Sequence, residues 1–267
     1  MKKVIYKIFK LIGFRVISNS FDSQRQIEIN NLKKENEKFK FLLSDNISKK
    51  SELFNYYNSS KSQICQDWFV LESLNYKKSG YFVEVGAASG VELSNTFLLE
   101  KKYEWDGILS EPSPGWRESL EVNRSCKKDF RCVYSESGKK VKFNQTKEKE
   151  YSTISTFSNS DKHQSKRRNF SQYEIATVTL NDLLKEHNAP LQIDYLSIDT
   201  EGSEYEILKN FNFKKYSFKV ITVEHNNTVN KTLINELLEK NGYKRQLEEL
   251  SQFESWFLNS NLKIYSN

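Results

Sequence analysis

Short apolar runs bounded by turn residues alternate with amphipathic stretches from about Ser62 onward, the pattern of a chain that weaves strand and helix. Ser62–Leu71 reads as a helix leading into Tyr81–Val85, an apolar run short enough for a buried strand. Gly86-Ala87-Ala88-Ser89-Gly90 follows as a tight turn, and Val91–Lys102, with Phe97, Leu98 and Leu99 apolar, as a helix. Gly107–Ser110 is a second strand ending on Glu111 and Pro112. A helix from Gly115 to about Asn123 leads to a third strand, Phe130–Tyr134, a turn at 135–138 and an edge-type strand at Lys140–Asn144. Residues 145–174 keep no apolar rhythm and read as a long basic loop. Order returns with Ile175–Val178, a helix over Leu180–Glu186 capped by Thr179, a strand ending in Asp199, and a helix through Leu208. Val220–Val223 is a further strand, Thr232–Lys240 a helix closed by Asn241-Gly242, and Tyr243–Leu247 and Trp256–Leu258 supply final strands. This order predicts an α/β protein with a doubly wound, mostly parallel sheet.

The unit from Tyr81 to Glu111 is strand, glycine turn, helix, strand and terminal acid, which is half of a nucleotide-binding fold. Glycines let backbone approach a ligand, and a carboxylate about twenty residues on can take both hydroxyls of a ribose. Glu111 follows Gly90 by twenty-one residues. The turn is G-x-x-x-G, without the middle glycine that admits a dinucleotide pyrophosphate. S-adenosylmethionine has no phosphate, and a nearby acid such as Glu84 can face its ammonium group. The expected cofactor contacts are Glu84, Gly86, Ala87, Ser89, Gly90 and Glu111, with Ser135 in the later turn and Asp199 at a strand end.

Composition narrows the partners. The net charge of +6 rests on interspersed lysines with no basic stripe interleaved with aromatics, so no nucleic acid is expected. Cys65, Cys126 and Cys132 form no C-x-x-C pair, which suits free thiols in a reducing compartment and argues against a zinc site. In Met1–Ser20 the longest uncharged run is Leu11–Phe14, too short to cross a bilayer. Val4, Ile5, Ile8, Leu11 and Ile12 share one helical face among lysines, fitting either an interfacial helix on anionic lipid or a helix packed on its own domain. A cytoplasmic protein with peripheral contact at the inner membrane surface is the expectation. Ile29, Leu32, Asn36, Phe39 and Leu43 fall on a 3–4 spacing. A solvated helix leading into the domain is the favoured reading, with a homodimer stalk or hairpin through residues 25–45 as the alternative. Ser44–Ser62 reads as a linker, so the chain divides into a basic helix (1–20), a charged helical segment with linker (21–61) and a catalytic domain (62–267).

In an open parallel sheet, ligands sit beyond the carboxyl ends of strands, and the acids here cluster at such ends: Glu84, Glu111, Asp199, Glu201 and Glu224, with His225 beside the last. The segments SQxxQD, FVEVGAASG, GILSEPSP, IDYLSIDTEGSEYEIL and ITVEHN, in that order, resemble the FkbM-type S-adenosylmethionine-dependent methyltransferases from about Ser62 to Tyr243. The resemblance implies a seven-stranded class I methyltransferase (Rossmann-like) fold and O-methylation of a sugar, glycan or related secondary metabolite. It places Glu84, Gly86, Gly90 and Glu111 in the cofactor motifs and Asp199 and Glu201 at the active site. A base must take the acceptor's proton, and Asp199, Glu201 and His225 are the candidates. No metal ligand set is assigned, although two of these acids holding a divalent ion is an alternative. The basic loop, through Lys166, Arg167 and Arg168, is expected to close over a phosphate- or carboxylate-bearing acceptor, the alternative being a disordered loop. Two other functions fit less of the pattern: a nicotinamide-dependent oxidoreductase, which lacks its glycine fingerprint here, and a non-catalytic membrane-associated scaffold, which leaves the acids unexplained.

Overall fold

A strand covered by helices on both faces must send alternate side chains into two separate cores, and this alternation builds the molecule. The computed structural model describes residues 19–44 and 50–261. In β1 (Tyr81–Val85) Phe82 enters one core and Val83 the other, and in β8 (Gln192–Ile198) Tyr195 and Leu196 divide the same way. Val220 and Ile221 repeat it in β9 (Ser217–Glu224), and Trp256 and Phe257 in β11 (Glu254–Asn259). With β2 (Asp106–Ser110), β3 (Lys127–Asp129) and β10 (Tyr243–Gln246), these strands form a seven-stranded sheet ordered β10-β11-β9-β8-β1-β2-β3. Only β11 runs against its neighbours; the other pairings are parallel. The chain works outward from β1 to β3 and returns to β8, so the strand order reverses between β1 and β8. That is the predicted class I methyltransferase (Rossmann-like) architecture.

A four-stranded sheet, β4-β7-β5-β6, is inserted after β3. It joins β4 (Cys132–Val133), β5 (Lys140–Thr146), β6 (Thr153–Ile154) and β7 (Phe170–Val178). Two expectations change here. The third strand expected at Phe130–Tyr134 is split, because Asp129 turns the chain by accepting the Arg131 N–H at 2.9 Å. β3 therefore ends before Phe130, and Cys132–Val133 pairs with β7 in the second sheet. The expected loop at 145–174 is instead folded: its two ends pair in an antiparallel ladder of β5 on β7, from Lys140↔Ala176 to Thr146↔Phe170, and the stretch between them holds β6 and short single-turn helices. Its strands carry polar residues on an exposed face, which is why the pattern reads as a loop.

The N-terminal part joins the same core. Helix α1 (Asn19–Leu43) sends Phe41 between Trp68 and Trp256, ring centroids 6.0 and 6.3 Å away. Short α2 (Lys50–Asn55), in the stretch expected as linker, buries Leu53 completely. Helix α3 (Gln66–Ser73) then leads into β1. The basic amphipathic pattern at the N-terminus falls almost wholly on residues outside those described. Among the described residues, no helix is long and apolar enough to cross a membrane. The three cysteines are free and buried, as expected. Phe41→Ala should leave a cavity costing about 3–5 kcal/mol. A lower melting temperature together with faster proteolysis of α1 would show this, and an unchanged melt would mean that α1 is not anchored here.

Candidate active site

At the reversal point the two strands come too close for a side chain. A Cβ on Gly86 would lie 1.7 Å from the Asp199 carbonyl oxygen, and Gly86 has φ +91°. Asp199 N–H donates to the Val85 carbonyl at 2.9 Å, continuing the β1–β8 ladder to that point. Gly90 is glycine for another reason: a Cβ there would meet Leu120 and Arg124 at 2.7 and 2.6 Å. It packs the turn on helix α5 (Arg117–Asn123) and does not line the cavity.

Glu84 has a structural place rather than the expected cofactor contact. Its carboxylate is buried and accepts Asn95 N–H at 2.7 Å, Ser94 Oγ–H at 3.0 Å and Thr96 Oγ1–H at 2.5 Å, with the Arg124 guanidinium 3.8 Å away. Burial raises its pKa, which Arg124 and the donors oppose. This acid reorganises the next stretch. Because residues 94–96 turn inward to reach it, the expected helix from Val91 begins only at α4 (Phe97–Tyr103). Arg124 closes the same loop, donating to the Gly90 carbonyl, Ser94 Oγ and Thr96 Oγ1. Ser89, also expected at the cofactor, caps Val91 N–H through its Oγ at 3.3 Å and stands outside the cavity lining.

The cavity opens over the carboxyl ends of β1, β2 and β8, and about 750 Å³ of space lies within it and its solvent-open mouth. Gly86, Ala87, Glu111, Asp199 and Glu201 line it, so the structure brings together five of the expected residues. Glu111 is held by two backbone donors, Ala88 N–H and Ser113 N–H, each at 2.8 Å. Burial still pushes its carboxyl up to about 7 against those donors, with Asp199 and Glu84 adding to the rise. Ser135 lies outside this lining; after β3 the chain contributes Cys132 and Val133 instead. The sequence reading also missed Phe143, Lys149, Ser152 and Ile154, all from the inserted sheet and its connections. Their only signal was the position of the insertion between two sheet elements.

The acidic segment after β8 is tightly held. Glu204, first residue of the helix Glu204–Lys209, folds back so that Oε1 accepts Thr200 N–H, Thr200 Oγ1–H and Gly202 N–H, each at 3.0 Å. Thr153 of the insertion donates to the Glu201 carbonyl at 2.9 Å. Arg167, expected to meet the acceptor, is itself buried: it donates to Glu201 Oε2 at 2.6 Å, to both oxygens of Asp161 at 2.8 and 2.9 Å, and to the Tyr151 carbonyl. Lys166 pairs with Glu148 on the surface and Arg168 is exposed.

Asp199, Glu201 and Glu224 each bring one carboxylate oxygen within 4.8 Å of the others. Three acids so close cannot all ionise cheaply. Burial raises Asp199 to about 6, with Glu224 hydrogen-bonding opposing the rise. Burial and the Asp199 charge lift Glu201 and Glu224 well above the carboxylate range, with Arg167 opposing this at Glu201. Such an oxygen set is of the kind that holds magnesium, although Arg167 already occupies one face of Glu201. His225, expected as a base, lines a second cavity with Glu224 and Glu204 instead. Its Nδ1 accepts Asn227 N–H at 3.0 Å, and burial and Lys231 lower it to about 4, so it stays neutral and fixes the exit from β9.

A family model described as the methyltransferase FkbM domain matches residues 84–245. No similar sequence was found among curated proteins. Among solved structures, the chain is similar to methyltransferase FkbM from Methylobacillus flagellatus KT, with 13% identity, 67% of this chain and 43% of that chain covered, and a TM-score of 0.42. It is also similar to precorrin-6y C5,15-methyltransferase from Geobacter metallireducens GS-15, with 13% identity, 67% and 72% coverage and a TM-score of 0.38. A putative RNA methyltransferase from Pyrococcus horikoshii shows 11% identity, 72% and 79% coverage and a TM-score of 0.36. These likenesses are too distant to bear on substrate.

Two substitutions test the site's frame. Glu84→Ala leaves the buried donors of Ser94, Asn95 and Thr96 without their acceptor, while Arg124 keeps Glu100 at 2.6 Å, and should cost about 3–5 kcal/mol of stability in a denaturant titration. Gly86→Ala should cost at least about 2 kcal/mol, because a left-handed residue gains a side chain against backbone. Wild-type stability in either variant would contradict the frame described.

Proposed function

The chain belongs to the FkbM methyltransferase domain family, and on that premise we propose that it is an S-adenosylmethionine-dependent O-methyltransferase whose acceptor is a hydroxyl of a sugar, glycan or related secondary metabolite. The observation that carries the cofactor reading is Glu111: a carboxylate at the end of β2, fixed by two backbone N–H groups and lining the cavity at the strand-order reversal. An acid so placed suits a ribose diol. Cys132, Val133 and Phe143 give an apolar wall for the base, and Asp199 and Glu201 put acids in the same cavity for a cationic end. When bound, the cofactor supplies a methyl already activated on a sulfonium, so the remaining task is alignment, exclusion of water and removal of one proton.

Asp199 is the residue suited to remove it. It lines the cavity, whereas Glu201 is tied to Arg167 and His225 stands apart. With a pKa near 6, its carboxylate is ionised at neutral pH yet basic enough to accept a hydroxyl proton in the transition state. Glu224 shares hydrogen-bonding with it and holds the neighbouring proton. The acceptor enters past Lys149, Glu150 and Ser152, which the insertion sets at the cavity. A polar rim of this kind suits a hydroxylated molecule better than an apolar one.

Glu111→Ala should weaken S-adenosylmethionine binding by about 1.5–3 kcal/mol in calorimetry with the fold intact; unchanged affinity would remove Glu111 from the site. Asp199→Asn should lower kcat by about 10²–10⁴-fold. The base works only when ionised, so wild-type kcat should fall as pH drops through about 6. Turnover independent of pH from 5 to 8 would assign the proton to another group.

A further inference from the structure

Helix α1 has two faces that do different things. Phe41 and Lys38 are buried on the domain, Lys34 Nζ donates to the Lys61 carbonyl at 3.0 Å, Lys38 Nζ to the Tyr57 carbonyl at 2.7 Å, and Glu37 accepts from Gln252 at 2.6 Å. The opposite face carries Ile29, Leu32, Phe39 and Leu43, which are 36%, 64%, 54% and 76% exposed, with exposed Asn36 between them. Large apolar side chains in one row on a helix whose other side is already anchored are not core residues of their own domain.

We propose that this face pairs with the same face of a second copy, as a parallel two-stranded coiled coil over Ile29–Leu43. The spacing is that of a heptad with Ile29, Asn36 and Leu43 at a and Leu32 and Phe39 at d. Glu28 and Glu35 then stand at g, and Lys33 and Lys40 at e. In a parallel pair each g residue meets the e residue of the next heptad across the seam, so Glu28 faces the second copy's Lys33; Glu35 stands opposite its Lys40, but within each chain Glu35 already accepts from the Tyr57 hydroxyl and Lys40 pairs with Glu37 at 3.0 Å. An antiparallel pair would set glutamates against glutamates and lysines against lysines. Asn36 makes the same choice: parallel chains place it opposite itself, where the two amides hydrogen-bond, whereas antiparallel chains leave it against an apolar d residue. A seam this short is marginal for free peptides. Here the helix is already formed and held by Phe41 and Lys38, so pairing orders little additional chain. Each domain anchors the far side of its helix and meets the edge of the seam where Tyr57 packs on Phe39, ring centroids 5.9 Å apart.

Sedimentation of the full chain over a concentration series should give a reversible dimer at twice 31.5 kDa. Leu32→Asp, at an exposed position, should give a monomer throughout with an unchanged melting temperature. Glu28→Lys and Lys33→Glu each put like charges across the seam and should each raise the dimer dissociation constant by about fivefold. An equimolar mixture of the two should regain wild-type affinity as a heterodimer. A chain that stays monomeric at all concentrations, or a dimer indifferent to Leu32→Asp, would overturn the proposal. A mixture no tighter than its components would overturn the parallel pairing.

Discussion

Carboxylates taken out of water must find donors or keep a proton, and six of those at the carboxyl edge of this sheet frame the cavity and the loops beside it. Each solution builds a different part of the molecule. Glu84 takes three donors from residues 94–96 and delays a helix by half a dozen residues. Glu111 takes the amides of Ala88 and Ser113, tying the glycine turn to the end of β2. Glu204 folds back on Thr200 and Gly202 and fixes the loop that carries Asp199 and Glu201. The remaining three, Asp199, Glu201 and Glu224, lie within reach of one another and share protons instead.

The inserted sheet belongs to the same solution. Arg167 links Asp161 of the insertion to Glu201 of the main sheet, and Thr153 donates to the Glu201 backbone. Removing either partner of a buried pair is costly even where the pair itself contributes little net stability. The insertion is thus fastened over the strand ends, and it lends Phe143, Lys149 and Ser152 to the cavity wall. That rim of the cavity is therefore a folded element whose basic residues are mostly committed to the protein itself.

The sheet was legible because β1, β8, β9 and β11 are short apolar runs buried on both faces, a pattern that propensity and flanking turns suffice to read. Thr179 shows the same at the level of one residue: it caps the helix at Leu180–Glu186, accepting Asp182 N–H as expected. What was not legible depended on partners distant in sequence. The loop before α4 follows from Glu84, the break at Phe130 from Asp129, and the strand pairing in 140–178 from a ladder whose residues are polar on one side. In the site, Glu111 and Asp199 were readable from position at strand ends. Glu84 and His225 occupy similar positions, but their side chains turn into the scaffold, and only packing distinguishes the two cases. Arg167 looked free in a basic run and proved to be the buried clamp.

The central claim is that the cavity over β1, β2 and β8 is a cofactor site selective for S-adenosylmethionine. Parallel calorimetric titrations of the full chain with S-adenosylmethionine and with NADH at neutral pH test it directly. The account predicts one-site saturable heat with S-adenosylmethionine and none with NADH. Binding of NADH in its place, or of neither, would contradict it.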